Sequence, residues 1–283
     1  MGDWEPTEMT AAHGWERVRV IAQATAPGSR MAVAVRLVGG GHAAPAWELH
    51  AGETFPAAST IKVAILVALY REVDAGRLDL SDVRPVDAAA KTPGSGVLAW
   101  LHDDLPLTLA DLAALMIAVS DNTASNLLLD VVGMDRVRAT IANLGLTATA
   151  LNRRFLGRAP GPGEPDNVTS AADLVSLLAA IAEGTAASPA SCARMWEALR
   201  LQQHRDRLAR RLPPETVFGG KSGSLPGLAH DSGLIEGSVG TLVVAVLTEA
   251  FADPYAADEL IGQVGLAALE DVELLAQQAP GVG

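Results

Sequence analysis

The sequence predicts an α+β fold of two lobes, in which an antiparallel sheet flanked by N- and C-terminal helices carries an inserted all-helical lobe. Two observations predict this architecture. Segments rich in β-branched residues stand near both ends of the 283-residue chain, whereas its middle repeats Ala and Leu at helical spacing. A helical block inserted between two halves of one sheet leaves a cleft between the lobes, where we expect a functional site.

The ends of the chain supply the sheet and the helices that flank it. Residues 31–38 are rich in β-branched side chains and are followed by three glycines, which predicts a strand and a turn. The last segment has apolar positions at helical spacing, which predicts a closing amphipathic helix. The elements predicted here are a helix over 8–25, strands over 31–38, 46–50, 231–236 and 241–248, and a helix over 254–278.

The middle of the chain has the pattern of consecutive helices. Two of them have clear start signals, since Thr108 precedes Asp111 and Ser170 precedes Asp173. The stretch 152–167 is too rich in Gly and Pro for a helix or strand, and a loop of that length is usually functional or mobile. The predicted helices cover 59–75, 107–119, 123–132, 134–144, 170–182 and 188–203.

This element order predicts one discontinuous lobe and one continuous lobe. Residues 1–51 and 212–283 are expected to form the sheet lobe. Residues 52–211 are expected to form the helical lobe, which carries the loop 152–167. Hydrophobic residues make up 49% of the chain, enough for a sizeable core and too many for a disordered protein.

The charge balance limits the partners. The chain has 33 acidic and 21 basic residues, and its net charge of -12 argues against nucleic acid and anionic membranes because nothing offsets phosphate repulsion. The apolar runs are far shorter than a membrane span. The single cysteine, Cys192, excludes an internal disulfide framework, and the histidines lack ligand spacing. We therefore expect a monomer with no metal and no other cofactor.

The first residues of the chain do not resemble a leader peptide. Residues 1–8 contain neither a basic segment nor an apolar one. The sequence as printed therefore predicts a cytoplasmic protein. A secreted or periplasmic protein is expected instead if a leader has been removed.

The motif Ser59-Thr-Ile-Lys62 opens the first helix of the middle block. Residues three apart share a helix face, so the hydroxyl of Ser59 and the amine of Lys62 are expected to lie within mutual reach. A lysine desolvated against an apolar helix can lose its charge and activate a serine nucleophile. Taken alone the motif is weak, because Ser59 could equally be a plain helix N-cap.

Two further short motifs have both a structural and a chemical interpretation. Ser120-Asp-Asn122 lies between two predicted helices, where it could cap the second helix, or provide a proton shuttle and an amide donor. Lys221-Ser-Gly223 with Ser224 lies in a glycine-flanked extended segment. It could be an ordinary turn with a surface lysine, or a cleft-lining strand whose lysine attracts a carboxylate.

The three motifs together are far more specific than any one of them. Their order, Ser-x-x-Lys, Ser-Asp-Asn and Lys-Ser/Thr-Gly, is that of class A β-lactamases and penicillin-binding proteins. Two of only three lysines fall on motif positions. The chain thus resembles the class A β-lactamase-like serine hydrolases of the serine β-lactamase and penicillin-binding protein superfamily. The segments that carry the resemblance are 55–62, 94–98, 119–126 and 220–231.

The resemblance implies a role for each motif residue. Ser59 corresponds to the nucleophile that accepts the acyl group, and Lys62 to its base or proton relay. Ser120 would pass a proton to the leaving nitrogen, and Asn122 would bind the substrate amide. In the third motif, Lys221 and Ser222 would hold the substrate carboxylate beside Gly223. The backbone amides of Ser59 and Ser224 would form the oxyanion hole.

The loop departs from the family pattern at one position. Class A enzymes carry a water-activating glutamate two residues after an arginine, but Phe155 stands two residues after Arg153. The carboxylates of this loop are Glu164 and Asp166. We expect Asp166 to pair with Arg153 or its neighbour and close the loop. Glu164 is expected to be exposed, and its alternative role is to activate the deacylating water.

These observations predict a serine hydrolase acylated on Ser59 by a β-lactam or another small amide that bears a carboxylate. Deacylation is expected to be slow, because the usual loop glutamate is absent. One alternative is an esterase or amidase of other substrates, or an acyltransferase in a biosynthetic pathway. The alternative of another class is a pseudo-enzyme or ligand-binding protein that traps carboxylate ligands.

Overall fold

The computed structural model of the protein describes residues 15–23, 28–39 and 46–278. Each end of the chain has a run of strands with one terminal helix, and helices dominate the middle. In chain order the elements are α1 (Glu16–Gln23), β1 (Arg30–Val38), β2 (Ala46–Leu49), β3 (Phe55–Pro56), a 3₁₀ turn (Ala58–Ile61), α2 (Lys62–Asp74), β4 (Val83–Val86), two 3₁₀ turns (Ala88–Ala90 and Leu98–Trp100), β5 (Leu105–Thr108), α3 (Leu109–Ala118), α4 (Asn122–Val132), α5 (Met134–Asn143), β6 (Val168–Thr169), α6 (Ala171–Ala182), α7 (Pro189–Arg200), β7 (Phe218–Leu225), β8 (Leu228–Gly237), β9 (Gly240–Glu249) and α8 (Pro254–Gln278).

One antiparallel sheet joins the two ends of the chain. Its strand order is β2-β1-β9-β8-β7, so the N-terminal hairpin meets the C-terminal strands where β1 pairs with β9. Helix α6 packs on one face of the sheet, and α8 packs on β8 and β9 and also contacts α1. Because both faces are covered, β9 is a nearly continuous run of buried residues. The predicted α+β fold is confirmed.

Two apolar cores lie on opposite faces of the sheet. The first lies under the helical block and contains Ala245 and Leu247 of β9. The second lies under the terminal helices and contains Val244 and Val246, because successive strand residues point to opposite faces. Helix α2 runs through the first core, and its residues from Val63 to Tyr70 are buried on every side of the helix, as expected for a surrounded helix.

The helical block contains two short strand pairs that the sequence analysis did not predict. Strand β3 pairs with β6, and β4 pairs with β5, all antiparallel. These strands have two to four residues, and Pro56, Pro85 and Pro106 interrupt them. Strands that short do not show an alternating pattern, and proline weakens the signal further. The expectation of an all-helical inserted lobe is therefore wrong in this detail.

The other predicted elements are observed with small shifts at their ends. The predicted first helix is present over Glu16–Gln23, and its outer residues, 8–14 and 24–25, lie outside the described residues. The helix predicted to begin at Ser59 begins as a 3₁₀ turn and becomes α-helical at Lys62. The lobe boundaries at 51 and 211 stay predictions. In the described ranges, no helix has both the length and the apolar character needed to cross a bilayer.

Candidate active site

The three motifs meet at the junction between the sheet and the helical block. A cavity of about 300 Å³ is lined by Ser59, Asn122 and Ser224, together with the loop residues 153–159. A smaller cavity of about 130 Å³ beside it is lined by polar residues almost throughout. Its lining residues are Ser59, Ser95, Ser120, His204, Asp206, Arg207, Ser222, Gly223 and Ser224. Lys62 and Lys221 line neither cavity, because both are completely buried behind the walls.

Ser59 is held in a tight turn just ahead of α2. The Thr60 hydroxyl and backbone amide both donate to the carbonyl of Ala57, at 2.7 and 3.1 Å. Ala58 has a φ of 46°, a left-handed conformation that is costly for a residue with a side chain. This turn places Ser59 at the wall of both cavities and at the start of the 3₁₀ turn that leads into α2.

Lys62 connects the first motif to the second. Its Nζ donates to the carbonyl of Ser120 at 2.7 Å, to Ser120 Oγ at 3.1 Å and to Asn122 Oδ1 at 2.9 Å. These three bonds use all the donors of an ammonium group. Complete burial, reinforced by the charge of Lys221, holds the pKa of Lys62 well below its ordinary value of 10.5. An amine in this setting is easier to deprotonate than a surface lysine, as a general base requires.

The second motif turns sharply between α3 and α4. Ser120 has a φ of 56°, and its hydroxyl faces the smaller cavity while it accepts from Lys62. Asn122 Nδ2 donates to the carbonyl of Pro93 at 3.0 Å, which leaves its second hydrogen for a ligand carbonyl. Asp121 caps α4 at the amide of Ala124, 2.9 Å away. The capping interpretation of this motif is therefore confirmed, and the chemical interpretation stays a prediction.

The third motif lies on β7, which approaches the turn at Ser59 very closely. A Cβ atom at Gly223 would stand 2.9 Å from the amide nitrogen of Ser59 and 3.0 Å from the Cβ of Ala58. Only glycine therefore allows the strand to lie this near the nucleophile. The strand predicted from the glycine-flanked motif is confirmed, and Ser222, Gly223 and Ser224 line the smaller cavity.

Lys221 is buried under that strand beside other charged groups. Its exposed fraction is 0%, so it is not the surface lysine of an ordinary turn. Burial lowers the pKa of Lys221 to about 7 and raises the pKa of Asp231 to about 7, while the opposite charge of each partner works against these shifts. Arg207 lies nearby and donates to Ser224 Oγ at 2.7 Å. The smaller cavity thus has Arg207 on its wall and Lys221 behind it, while the carboxylate of Asp206 also lines the wall.

The loop 152–167 is closed by an ion pair and positioned by Asn126. Arg153 Nε donates to Asp166 Oδ1 at 2.9 Å, which confirms the predicted pairing. The Asn126 amide bonds both backbone groups of Phe155, donating to its carbonyl at 2.8 Å and accepting from its amide at 3.1 Å. Phe155 is thereby fixed with its ring centroid 4.5 Å from Lys62 Nζ. The residue two positions after Arg153 is thus an aromatic ring beside Lys62, and not a carboxylate.

Glu164, the other candidate for activating water, bonds within its own loop. It accepts from Arg158 Nη1 at 2.6 Å and from the Gly161 amide at 2.7 Å, and it is not among the residues that line the two cavities. The hydrogen bond from Arg158, together with that from Gly161, lowers the pKa of Glu164 to about 2. A carboxylate of such low basicity is a poor proton acceptor. The expectation that Glu164 is exposed is wrong, because its side chain is only 30% exposed and is held in the ion pair with Arg158.

Several residues of the site were given no role by the sequence analysis. Asn126 stands one helical turn after Asn122, a spacing that could have indicated a shared face. Arg207 comes from a segment with no motif of its own, whereas His230 lies in the segment 220–231 that carries the resemblance. Their contacts depend on how β7, β8 and the following chain pack together, and no local sequence signal reports that.

Known proteins share this sequence pattern and this fold. A model of the beta-lactamase enzyme family matches residues 15–272. A beta-lactamase of Rhodobacter capsulatus is 30% identical over 158 residues, which are 54% of this chain and 53% of that protein. The match therefore spans about half the length of this curated relative.

Solved structures match over nearly their whole length. A beta-lactamase from Sphaerobacter thermophilus is 40% identical, with a TM-score of 0.86 over 94% of this chain and 99% of that one. PBP-A is 25% identical, with a TM-score of 0.81 over 97% and 99% of the two chains. A mutant of PBP-A, solved as an acyl-enzyme complex with penicillin G, gives a TM-score of 0.80 at 25% identity over 97% and 100%. Since the family model covers nearly all of the sequence, the chain belongs to the beta-lactamase enzyme family.

Proposed function

We propose that this protein is a serine hydrolase that is acylated on Ser59 by a β-lactam or a related amide bearing a carboxylate, and that releases the acyl group slowly. The observation that carries the proposal is the buried Lys62, whose amine bonds Ser120 and Asn122 behind a cavity that Ser59 lines. The lowered pKa of Lys62 supports this role, because a general base must be able to lose its proton near neutral pH.

In the proposed acylation, Lys62 takes one proton from Ser59 and later gives one proton to the leaving nitrogen. Ser59 Oγ attacks the carbonyl carbon of the amide and gives its proton to the neutral amine of Lys62. The amides of Ser59 and Ser224 are the proposed donors to the oxyanion that forms. The carbon–nitrogen bond then breaks while a proton passes from Lys62 through Ser120 Oγ, 3.1 Å away, to the leaving nitrogen.

Substrate binding is assigned to the walls of the two cavities. Asn122 Nδ2 uses one hydrogen for the carbonyl of Pro93, and its other hydrogen is the proposed donor to the carbonyl of the substrate's side-chain amide. The substrate carboxylate is assigned to the smaller cavity, where Ser222 lies on the wall and Lys221 and Arg207 supply positive charge. Lys221 acts there through its charge from behind the wall, because it is fully buried.

Slow deacylation follows from Phe155. Its ring stands 4.5 Å from Lys62 Nζ and cannot accept a proton from water, and Glu164 is held in a pair with Arg158. The acyl-enzyme complex of the PBP-A mutant with penicillin G supports a covalent intermediate on this fold. We therefore expect the acyl-enzyme to accumulate.

Intact mass spectrometry with penicillin G tests the proposal. The wild-type protein is expected to gain the mass of one penicillin within minutes and to keep it over many minutes, while Ser59→Ala gains nothing. A folded wild-type protein that forms no adduct and turns over no penicillin would refute the proposal. An adduct that also forms on Ser59→Ala would place the acyl group elsewhere.

The variant Lys62→Ala separates an enzyme from a binding protein. An enzyme loses acylation but keeps its affinity for penicillin, because the lysine acts on the proton and does not line the cavity. A protein that only holds carboxylate ligands binds penicillin equally well with and without this lysine and shows no adduct in either form.

A further inference from the structure

His230 connects the central sheet to the segment that carries the nucleophile. It lies on β8, completely buried, and its Nε2 is 2.9 Å from the carbonyl oxygen of Pro56. Its other ring nitrogen, Nδ1, accepts from the amide of Thr248 on β9 at 3.1 Å. Because Nδ1 accepts, the proton of the neutral ring is on Nε2, which therefore donates to Pro56.

His230 lies between the strand that carries the third motif and the segment that leads into Ser59. In the register of β7 and β8 it is the direct partner of Gly223, the residue whose backbone lies against the amide of Ser59. Pro56 is three residues ahead of Ser59, on β3. His230 thus bonds to the chain that leads into Ser59 and is paired with the strand that carries Ser224.

The surroundings keep this ring in one orientation. The ring of Phe55 meets the ring of His230 edge to face, with 6.1 Å between the centroids. Arg207 Nη1 donates to the carbonyls of both His230 and Gly223 at 2.8 Å, which fixes this cross-strand pair. Burial lowers the pKa of His230 to about 4, and the charge of Arg207 acts in the same direction. The ring is therefore neutral at pH 7, as its two hydrogen bonds require.

We propose that His230 is a positioning residue that sets the distance between the amides of Ser59 and Ser224, through its bond to Pro56 and its pairing with Gly223. This inference rests on the proposed function, in which those two amides hold the oxyanion. The His230 ring touches neither the cavity nor the reacting atoms, so it acts only through the backbone. A shift of about 1 Å in such a donor pair can reduce a rate by about a hundredfold.

Three substitutions separate the two bonds of the ring. His230→Gln keeps a donor at the reach of Nε2 and preserves the bond to Pro56. His230→Asn keeps an acceptor near the position of Nδ1 for Thr248 but does not reach Pro56. His230→Phe keeps the shape of a ring and the packing on Phe55 but removes both bonds, and it serves as the second test if the Asn variant fails to fold.

The measurement is the acylation by penicillin G, divided into the dissociation constant of the first complex and the rate constant of the covalent step. The rate constant is expected to fall roughly 30- to 100-fold in His230→Asn and His230→Phe, with the dissociation constant within about threefold of wild type. His230→Gln is expected to stay within about fivefold in both. Val244→Ala is the matched control, because it opens a cavity in the same sheet on the opposite face, away from Ser59.

The outcomes distinguish this inference from the proposed function. Unchanged acylation in folded Asn and Phe variants would overturn the inference alone. Slow acylation in His230→Gln together with fast acylation in His230→Asn would also overturn it, because only the bond to Thr248 would then matter. An equal decrease in the acylation rate constant of Val244→Ala would overturn it too, because the effect would then come from general destabilisation. A wild-type protein that is never acylated would refute the proposed function, and this inference with it.

Discussion

The two buried lysines have similar surroundings but are assigned opposite charge states. Burial lowers the pKa of both Lys62 and Lys221. Lys62 lies against hydroxyl, carbonyl and amide oxygens, with the carboxylate of Asp121 nearby, and Lys221 lies near the carboxylate of Asp231. Each carboxylate favours the charged form of its lysine, whereas the charge of Lys221 lowers the pKa of Lys62. In the proposed function Lys62 is the base and Lys221 is the cation.

Arginine at each position tests this division. Arginine stays charged at all accessible pH values, so Lys62→Arg is expected to lower the acylation rate constant by at least about a hundredfold. Lys221→Arg keeps the required charge and is expected to retain substantially more activity. The rate constants for adduct formation by the two variants provide the comparison, with circular dichroism to check folding. Equal losses in both variants would contradict separate roles.

In the proposed function, Phe155 is the reason why the acyl group is released slowly. The variant Phe155→Glu places a carboxylate beside Lys62 and is expected to increase the deacylation rate at least about tenfold, since a general base contributes about 10² to 10⁴. The decay of the penicillin adduct in intact mass spectra measures this rate. Phe155→Leu is the control, because it removes the ring and adds no base. Equal acceleration in the leucine variant would show that the ring only excludes water.

At the scale of elements, the hairpin of β7 and β8 determines the geometry of the site. Strand β7 carries the third motif, and β8 carries His230 and Asp231, which bond to Pro56 and to the amide of Leu208. These contacts tie the hairpin to the nucleophile segment and to the chain just after Arg207. The site therefore depends on the register of this hairpin as much as on its side chains.

Gly223→Ala tests the close approach of β7 to Ser59. Its new Cβ would stand 2.9 Å from the Ser59 amide nitrogen, so the strand must move away and the acylation rate constant is expected to fall about 10- to 100-fold. Gly237→Ala, farther along the sheet, is the control, because its nearest neighbours would be at 3.5 Å. The measurement is adduct formation at a saturating penicillin concentration. A Gly223→Ala variant as fast as the control would disprove the steric argument.

His230 is also expected to make stability depend on pH. The ring has a pKa of about 4 in the fold, against an ordinary value of 6.5. Between these values the unfolded ring binds a proton and the folded ring does not, so this group favours unfolding increasingly as pH falls from 6.5 to 4. The shift corresponds to a loss of about 3 kcal/mol in the free energy of unfolding.

Urea denaturation of wild type and His230→Gln at pH 7 and pH 4 measures this loss. The difference between the two proteins removes the opposite contribution of Asp231, whose pKa is raised. The stability of wild type relative to the variant is expected to fall by about 3 kcal/mol as the pH is lowered. A difference that stays constant with pH would show that the ring titrates normally.

On the scale of the whole molecule, the two ends of the described chain are joined on the outer face of the sheet. The buried carboxylate of Asp271 on α8 accepts from the amides of Arg17 and Val18 in the first turn of α1, at 3.0 and 3.1 Å. Arg17 Nη1 also donates to it at 3.1 Å. A residue from the last helix thus caps the first, and the sheet is held between segments from opposite ends of the sequence.

Asp271→Ala is expected to lower the free energy of unfolding by about 1 to 3 kcal/mol, because the buried amide of Val18 and the partly buried amide of Arg17 lose their acceptor. Glu270→Ala is the matched control, since that side chain is half-exposed and its ion pair with Arg17 contributes less than about 1 kcal/mol. The midpoint of urea denaturation measures both effects. Equal midpoints would show that the cap adds no stability.

The motifs and most elements could be predicted because they depend on neighbours in sequence. The helix that begins after Ser170 needs only its cap and its apolar spacing, and the amide of Asp173 is observed to donate to Ser170 Oγ. The pairing of β3 with β6 could not be predicted, because two-residue strands leave no periodic signal. Nor could the capping of α1 by Asp271, which joins residues more than 250 positions apart.

The sequence by itself determined the α+β fold, the three motifs and the absence of a glutamate two residues after Arg153, since each depends on residue type and short spacing. Only the tertiary structure decided which side chain of the loop lies beside Lys62. The ring of Phe155 lies there, whereas Glu164 is bonded to Arg158. The tertiary structure alone also decided that Lys221 is buried and that His230 reaches Pro56. The physical reason is that burial, and with it each pKa shift, arises from contacts between segments far apart in the chain.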